Sequence, residues 1–239
     1  ARMAAGLLTP TTGQIDVFGT RRSRRTDFTA LRRRVQILFQ SADAHLNPGM
    51  TVWEMLSISA RLHRPGEEPA PLVLGVLERV GLTGRGRAYP RQLAGGERRR
   101  VGIARVLLVQ PSLLISDAPP RGLDAVLRAD LLELLLSGAE SHLIISHDLH
   151  LIAQTADRIA VMLSGRIIES MPVEALGTTH HPYTLELLGG SRRPEARDLQ
   201  VCPFPEGCPH AQMRAGHISP TRVTIAARHW IACHHIRGT

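Results

Sequence analysis

Three short apolar runs constrain this chain more than any other feature. Val35 to Phe39, Leu113 to Ser116 and Leu143 to Ser146 each give way at once to a polar residue, respectively Gln40, Asp117 and His147. The last two follow helical segments and precede further structure, as strands buried on both faces of a parallel sheet do. In open parallel α/β sheets the carboxyl edge of the strands is where ligands bind, so three polar side chains ending neighbouring strands can converge on one site. An α/β fold with a site at that edge is the expectation.

The rest of the chain supplies the layers such a sheet needs. Ala1 to Leu8 reads as the end of a helix stopped by Thr9-Pro10 and Gly13, and Gln14 to Phe18 as a short strand ended by Gly19. Thr51 and Glu54 have the spacing of a capping box, opening a helix to about Arg61. His63 to Pro71 is a proline-rich linker, and Leu72 to Val80 a second amphipathic helix. These pieces form a helical subdomain over about residues 41–95. Arg158 to Leu163 and Arg166 to Glu169 flank Ser164-Gly165 as a two-residue hairpin. Beyond Gly177 the composition shifts to His, Pro, Arg, Gly and Cys, placing a boundary near Gly189-Gly190. Residues 1–188 are then the main domain and residues 189–239 an irregular extension.

Composition removes several function classes. No apolar run approaches the roughly 18 residues of a membrane span and no secretory signal opens the chain, so a cytoplasmic protein is expected. The three cysteines, Cys202, Cys208 and Cys233, lie outside the main domain and give it no disulfide framework. The net charge is +8, and all 29 Lys and Arg residues are arginine. Few aromatics interleave with the arginine blocks, so a nucleic-acid partner is not expected.

One further segment points to chemistry. Gly95-Gly96 leads directly into the arginine-rich amphipathic stretch Glu97 to Arg105. A helix beginning there turns free N–H groups and its positive dipole end toward whatever lies over the glycines, which is an anion site. The stretch Gln92 to Arg105 also resembles the signature sequence of ATP-binding cassette (ABC) ATPases, L-S-G-G-Q followed by arginines and V-x-I-A-R-A-L. The resemblance implies a P-loop NTPase-like ABC domain, incomplete at its N-terminus, with ATP and Mg²⁺ as cofactors. It gives Ala94, Gly95, Gly96 and Glu97 a place on the nucleotide. Leu113 to Asp117 is similar to a Walker B strand, whose aspartate helps hold Mg²⁺. Gln40 resembles the Q-loop glutamine, which senses the metal and the attacking water, and His147 the switch histidine at the γ-phosphate. Gly122-Leu123-Asp124 resembles the D-loop, placing Asp124 at a dimer interface beside the nucleotide.

His45-Leu46-Asn47-Pro48, His181-Pro182-Tyr183-Thr184 and the cysteine-bearing tail are similar to the dipeptide, oligopeptide and nickel import branch. That resemblance implies an importer for peptides or nickel. Its partners would be a second ABC ATPase subunit, identical or different, integral membrane permeases and an extracytoplasmic binding protein. The chain would sit at the cytoplasmic face of the inner or plasma membrane.

The pattern breaks in two places. The phosphate loop G-x-x-x-x-G-K-[ST], which should precede Ala1, is absent and no lysine stands elsewhere; a chain cut just after that loop is the expectation. Where family members read D-E-P-T or D-E-P-S, this chain has Asp117-Ala118-Pro119-Pro120, so the glutamate that polarises water is Ala118. Its own half-site is therefore expected to hydrolyse poorly, with Gly95-Gly96 serving a partner's site. A non-hydrolysing regulatory or structural subunit, or a truncated non-functional product, is the alternative. In the tail, the branch's fourth cysteine position is Ala215, and His210, His217, His229, His234 and His235 are candidate substitutes. A degenerate, metal-free tail is expected rather than an iron–sulfur or zinc site on Cys202, Cys208 and Cys233.

Overall fold

The computed structural model describes residues 1–22, 29–39, 46–117, 132–178, 181–189 and 220–233. Contacts divide the chain into two compact units, Ala1–His147 and Asp148–Thr239.

The first unit is built on a parallel sheet of order β3-β4-β5, with β3 at Val35–Leu38, β4 at Leu113–Asp117 and β5 at Ser141–Ile145. Val35 aligns with Leu113 and Leu113 with Ser141, so the three strands start level. One face, through Leu38 and Leu114, packs on the long helix α4 (Gly95–Val109). On the other face Ile115 and Val35 are covered by Ala5 and by Leu31 of α1 (Thr29–Arg34). The strands expected from the apolar runs are present and parallel.

Helices α2 (Val52–His63) and α3 (Pro69–Arg79) form a layer with α4, closed by Val52, Leu56, Val73, Leu77 and Val101, all at most 3% exposed. The Thr51 box is complete: Glu54 N–H donates to Thr51 Oγ1, and Thr51 N–H donates to the Glu54 carboxylate at 2.7 Å. Those bonds hold the Glu54 carboxyl below its ordinary pKa. α3 begins three residues earlier than expected because Pro69 stands at its start, where the missing N–H costs nothing.

Ala1 to Leu8 does not complete a helix; Ala5 N–H and Leu7 N–H donate to Ala1 and Arg2 carbonyls within isolated turns. The strand expected after it pairs instead as a hairpin, β1 (Ile15–Val17) with β2 (Thr20–Arg22). Its turn places both Phe18 and Gly19 at positive φ, 53° and 72°, which suits the twist of two-residue hairpins.

Gly138 is a packing constraint rather than a conformational one. A Cβ there would stand 2.6 Å from Leu107 Cδ2 and 3.1 Å from the Leu135 carbonyl. Gly138→Ala is expected to destabilise the first unit by about 1–3 kcal/mol. Thermal unfolding measures it, and an unchanged midpoint would contradict this packing.

In the second unit, α5 (Leu149–Thr155) is capped by Asp148, whose Oδ1 accepts from Leu151 N–H at 3.1 Å. An antiparallel sheet follows, order β6-β7-β9-β8: β6 Arg158–Leu163, β7 Arg166–Pro172, β8 Arg222–Ala226 and β9 His229–Ala232. The expected hairpin turns at Ser164-Gly165, both at positive φ. α6 (Pro182–Leu188) starts at the proline of the His-Pro-Tyr-Thr run. The extension expected to be irregular is not so in its described part: β8 and β9 add a hairpin to the sheet through β7. Sequence reading missed it because its turn, Ala227-Arg228, lacks glycine, with Arg228 at φ 61°.

Candidate functional site

α4 starts with its first turn open. Ala94 and Gly95 are exposed, while Leu93 just before them is buried at 4% and anchors the entry. Arg98 folds back and donates from Nη1 to the Leu93 carbonyl at 2.6 Å. Neither Gly95 nor Gly96 has positive φ, so the backbone does not require glycine there. A Cβ on Gly96 would meet nothing within 4 Å, and one on Gly95 only Arg98 Nη2 at 3.8 Å. What the glycines leave is access: first-turn amides, with no carbonyl four residues back within the helix, open to an approaching oxyanion.

Glu97 reaches back from the third position. Its Oε2 accepts from Ala94 N–H at 2.8 Å, and its Oε1 lies 3.0 Å from Arg85 Nε. Ala94 has no hydroxyl to return a bond to the Glu97 amide, so only one half of a capping box exists. The Glu97 charge is thus shared with Arg85, a partner to which nothing in the sequence pointed.

At the strand ends, Asp117 closes β4 and pairs in register with Ile145, two residues before the exposed His147. α4 leads into β4 through a short connection at 110–112, with Gly95 at the far end of the helix from that connection. Gln40, Ala118, Asp124, Cys202 and Cys208 lie outside the described residues. Among the described residues no group of three His, Cys, Asp or Glu could hold a metal. Asp117 alone fits a Mg²⁺ ion, which binds through one or two carboxylates with phosphate and water completing its shell. Two open glycines at a helix start likewise fit a phosphate. Cys233 is buried just after β9, and His229, a candidate tail ligand, has Nε2 2.8 Å from Glu169 Oε1.

A family model described as ABC transporter matches residues 1–121. The chain is 34% identical, over 98% of its length and 69% of the relative's, to a Brucella melitensis protein named "Putative peptide import ATP-binding protein". It is 35% identical to the oligopeptide transport ATP-binding protein OppD of Mycobacterium tuberculosis, over 79% of this chain and 32% of that one. It is 38% identical to the glutathione import ATP-binding protein GsiA of Escherichia coli, over 66% of this chain and 27% of that one. Among solved structures, CbiO1 of Clostridium perfringens, part of an ABC transporter complex, superposes with a TM-score of 0.63 at 27% identity, covering 73% of this chain and 72% of that one. The dimeric cassette MJ0796, bound to ADP and Pi, shares the fold with a TM-score of 0.61, covering 72% of this chain and 78% of that one. The chain belongs to the ABC transporter ATP-binding family. Its fold is that of an ABC ATPase domain, a P-loop NTPase fold.

Proposed function

We propose that this protein is an ATP-binding subunit of a peptide importer, paired with a second ATPase subunit whose nucleotide it completes. The exposed start of α4, with Gly95 and Gly96 open and Arg98 anchoring the turn, carries this reading. Its free amides and helix dipole would stabilise the terminal phosphate of a nucleotide held mainly by the neighbouring chain. Asp117 would hold Mg²⁺ on this chain's own strand edge, with Gln40 beside it and His147 directed at the γ-phosphate. Asp124 would cross the subunit interface. Relatives named for peptide, oligopeptide and glutathione favour peptide cargo over nickel. No helix among the described residues is long and apolar enough to cross a membrane, so permease subunits would supply the pathway and an extracytoplasmic protein the cargo.

Hydrolysis in this chain's own half-site is impaired in this reading, because Ala118 has no group to polarise water. Ala118→Glu in the co-purified complex, with the partner ATPase's own site silenced, is expected to raise turnover on the order of 10²-fold, the scale of a general base. Unchanged turnover with nucleotide still bound would instead favour a non-hydrolysing regulatory subunit.

A further inference from the structure

The start of α4 carries a charge that does not suit an anion. A helix end supplies only about half a positive charge, whereas the Glu97 carboxylate in its first turn brings a full negative one. Arg98 adds a guanidinium there, bonded to the neutral Leu93 carbonyl. Unopposed, Glu97 would outweigh the dipole and work against a phosphate oxygen approaching the Gly95 and Gly96 amides.

Glu97 is not unopposed. Arg85 Nε stands 3.0 Å from its Oε1, while its Oε2 accepts from Ala94 N–H at 2.8 Å. The Arg85 side chain is 54% exposed and that of Glu97 23%, so the pair contributes little to folding. The backbone nonetheless fixes where Arg85 stands. Gly84 before it takes φ 80°, a conformation open to glycine at no steric cost. Arg85 N–H donates to the Leu82 carbonyl, and the Arg85 carbonyl accepts from Ala88 N–H, both at 3.0 Å. The carbonyls of Gly86 and Ala88 in turn accept from Trp53 N–H at 2.8 Å and Val52 N–H at 3.0 Å. The connection from α3 to α4 is thus pinned to the first turn of α2 before any side chain pairs.

We infer that Arg85 is a positioning residue for nucleotide: it cancels the Glu97 charge and so keeps the start of α4 attractive to a terminal phosphate. This rests on the reading of that helix start as facing the nucleotide of a partner ATPase. Arg85 acts through Glu97 and not by touching phosphate. Its loss therefore matters only while Glu97 is charged, and removing both charges leaves the helix end as it was.

The test is steady-state ATP hydrolysis by the co-purified complex, over a range of ATP concentrations and at low and physiological salt. Arg85→Ala is expected to raise KM for ATP about fivefold with kcat little changed, the upper scale of one exposed ion pair acting on binding alone. Arg85→Lys keeps the charge and should stay near wild type. Adding Glu97→Gln to Arg85→Ala should bring KM back to near wild type. The KM ratio of Arg85→Ala to wild type should also shrink with salt, as the screening length falls from about 30 Å at 0.01 M to about 8 Å at 0.15 M. A merely structural pair would give neither the rescue nor the salt dependence. An unchanged KM in Arg85→Ala overturns the proposal, as does a raised KM that Glu97→Gln fails to relieve. Gly95→Asp assayed alongside separates the two claims. If it silences hydrolysis while Arg85→Ala behaves as wild type, only the role of Arg85 falls; if neither has an effect, the nucleotide does not meet α4 and both fall.

Discussion

Gly95→Asp should abolish turnover by the assembled ATPase pair while leaving this chain folded. The two effects separate because they rest on different physics. Gly95 has no strained φ, and an added Cβ would meet only the flexible end of Arg98, at 3.8 Å. A carboxylate in the first turn of a helix is favoured by the dipole, by about 0.3–1 kcal/mol, so the unfolding midpoint should hold or rise slightly. The same carboxylate would sit where a phosphate oxygen must approach, replacing attraction to open amides with like-charge repulsion. Loss of one preorganised group of this kind costs on the order of 10²–10³ in rate. Steady-state hydrolysis by the co-purified complex measures it. Full turnover in the variant would remove α4 from the partner's site and with it the central claim about function.

Replacing Glu169 by Ala should destabilise the second unit by about 1–3 kcal/mol for each buried hydrogen-bonding group left unpaired. Glu169 is fully buried on β7. Its Oε2 accepts from His181 N–H at 3.1 Å and Thr184 Oγ1 at 2.5 Å, and its Oε1 faces His229 Nε2 at 2.8 Å. One carboxylate therefore joins the start of α6 and the C-terminal hairpin to the sheet. Glu169→Gln keeps the shape but offers one acceptor oxygen in place of two, and should fall between wild type and Ala. Chemical denaturation orders the three; equal midpoints would refute the cluster.

The same region should respond to acid through His181. Burial pushes its pKa down to about 4, opposed by Glu169, and its Nδ1 accepts from Tyr183 N–H, which requires an unprotonated nitrogen. The folded form thus prefers neutral His181, whereas in the unfolded chain the group protonates near pH 6.5. Its contribution is complete above pH 6.5 and is lost as pH falls toward 4, by about 3 kcal/mol in all. His181→Asn should flatten that part of the profile. An identical pH dependence in both proteins would contradict it.

Elements that sequence reading located are those whose signals are local. The Thr51 and Glu54 pair fixes the start of α2 by two short bonds, and uninterrupted apolar runs announce the three parallel strands, although on β5 Leu143 and Ile145 are exposed. Ser164-Gly165 supplies a turn by composition alone. What escaped depends on partners distant in sequence. Phe18 and Arg228 take positive φ without the residues that usually advertise it. Glu169 reads as an ordinary strand end, and only tertiary pairing shows it meeting His229, sixty residues on. In the candidate site, Asp117 ends a strand and the glycine pair starts a helix, as their positions in the sequence suggested, while the Glu97 link to Arg85 became visible only in three dimensions.

α4 belongs to two layers at once. Its flanks are locked into the α2 and α3 packing and also against β3 and β4, with Val101, Ile103, Ala104 and Leu107 almost wholly inaccessible. Interiors packed at crystal-like density do not compress. Fifteen residues of helix therefore behave as a stiff rod about 22 Å long, clamped along its middle and free at its glycine tip. A push on the helical layer cannot be absorbed within such a rod; it is passed to β3 and β4, on which the same helix rests.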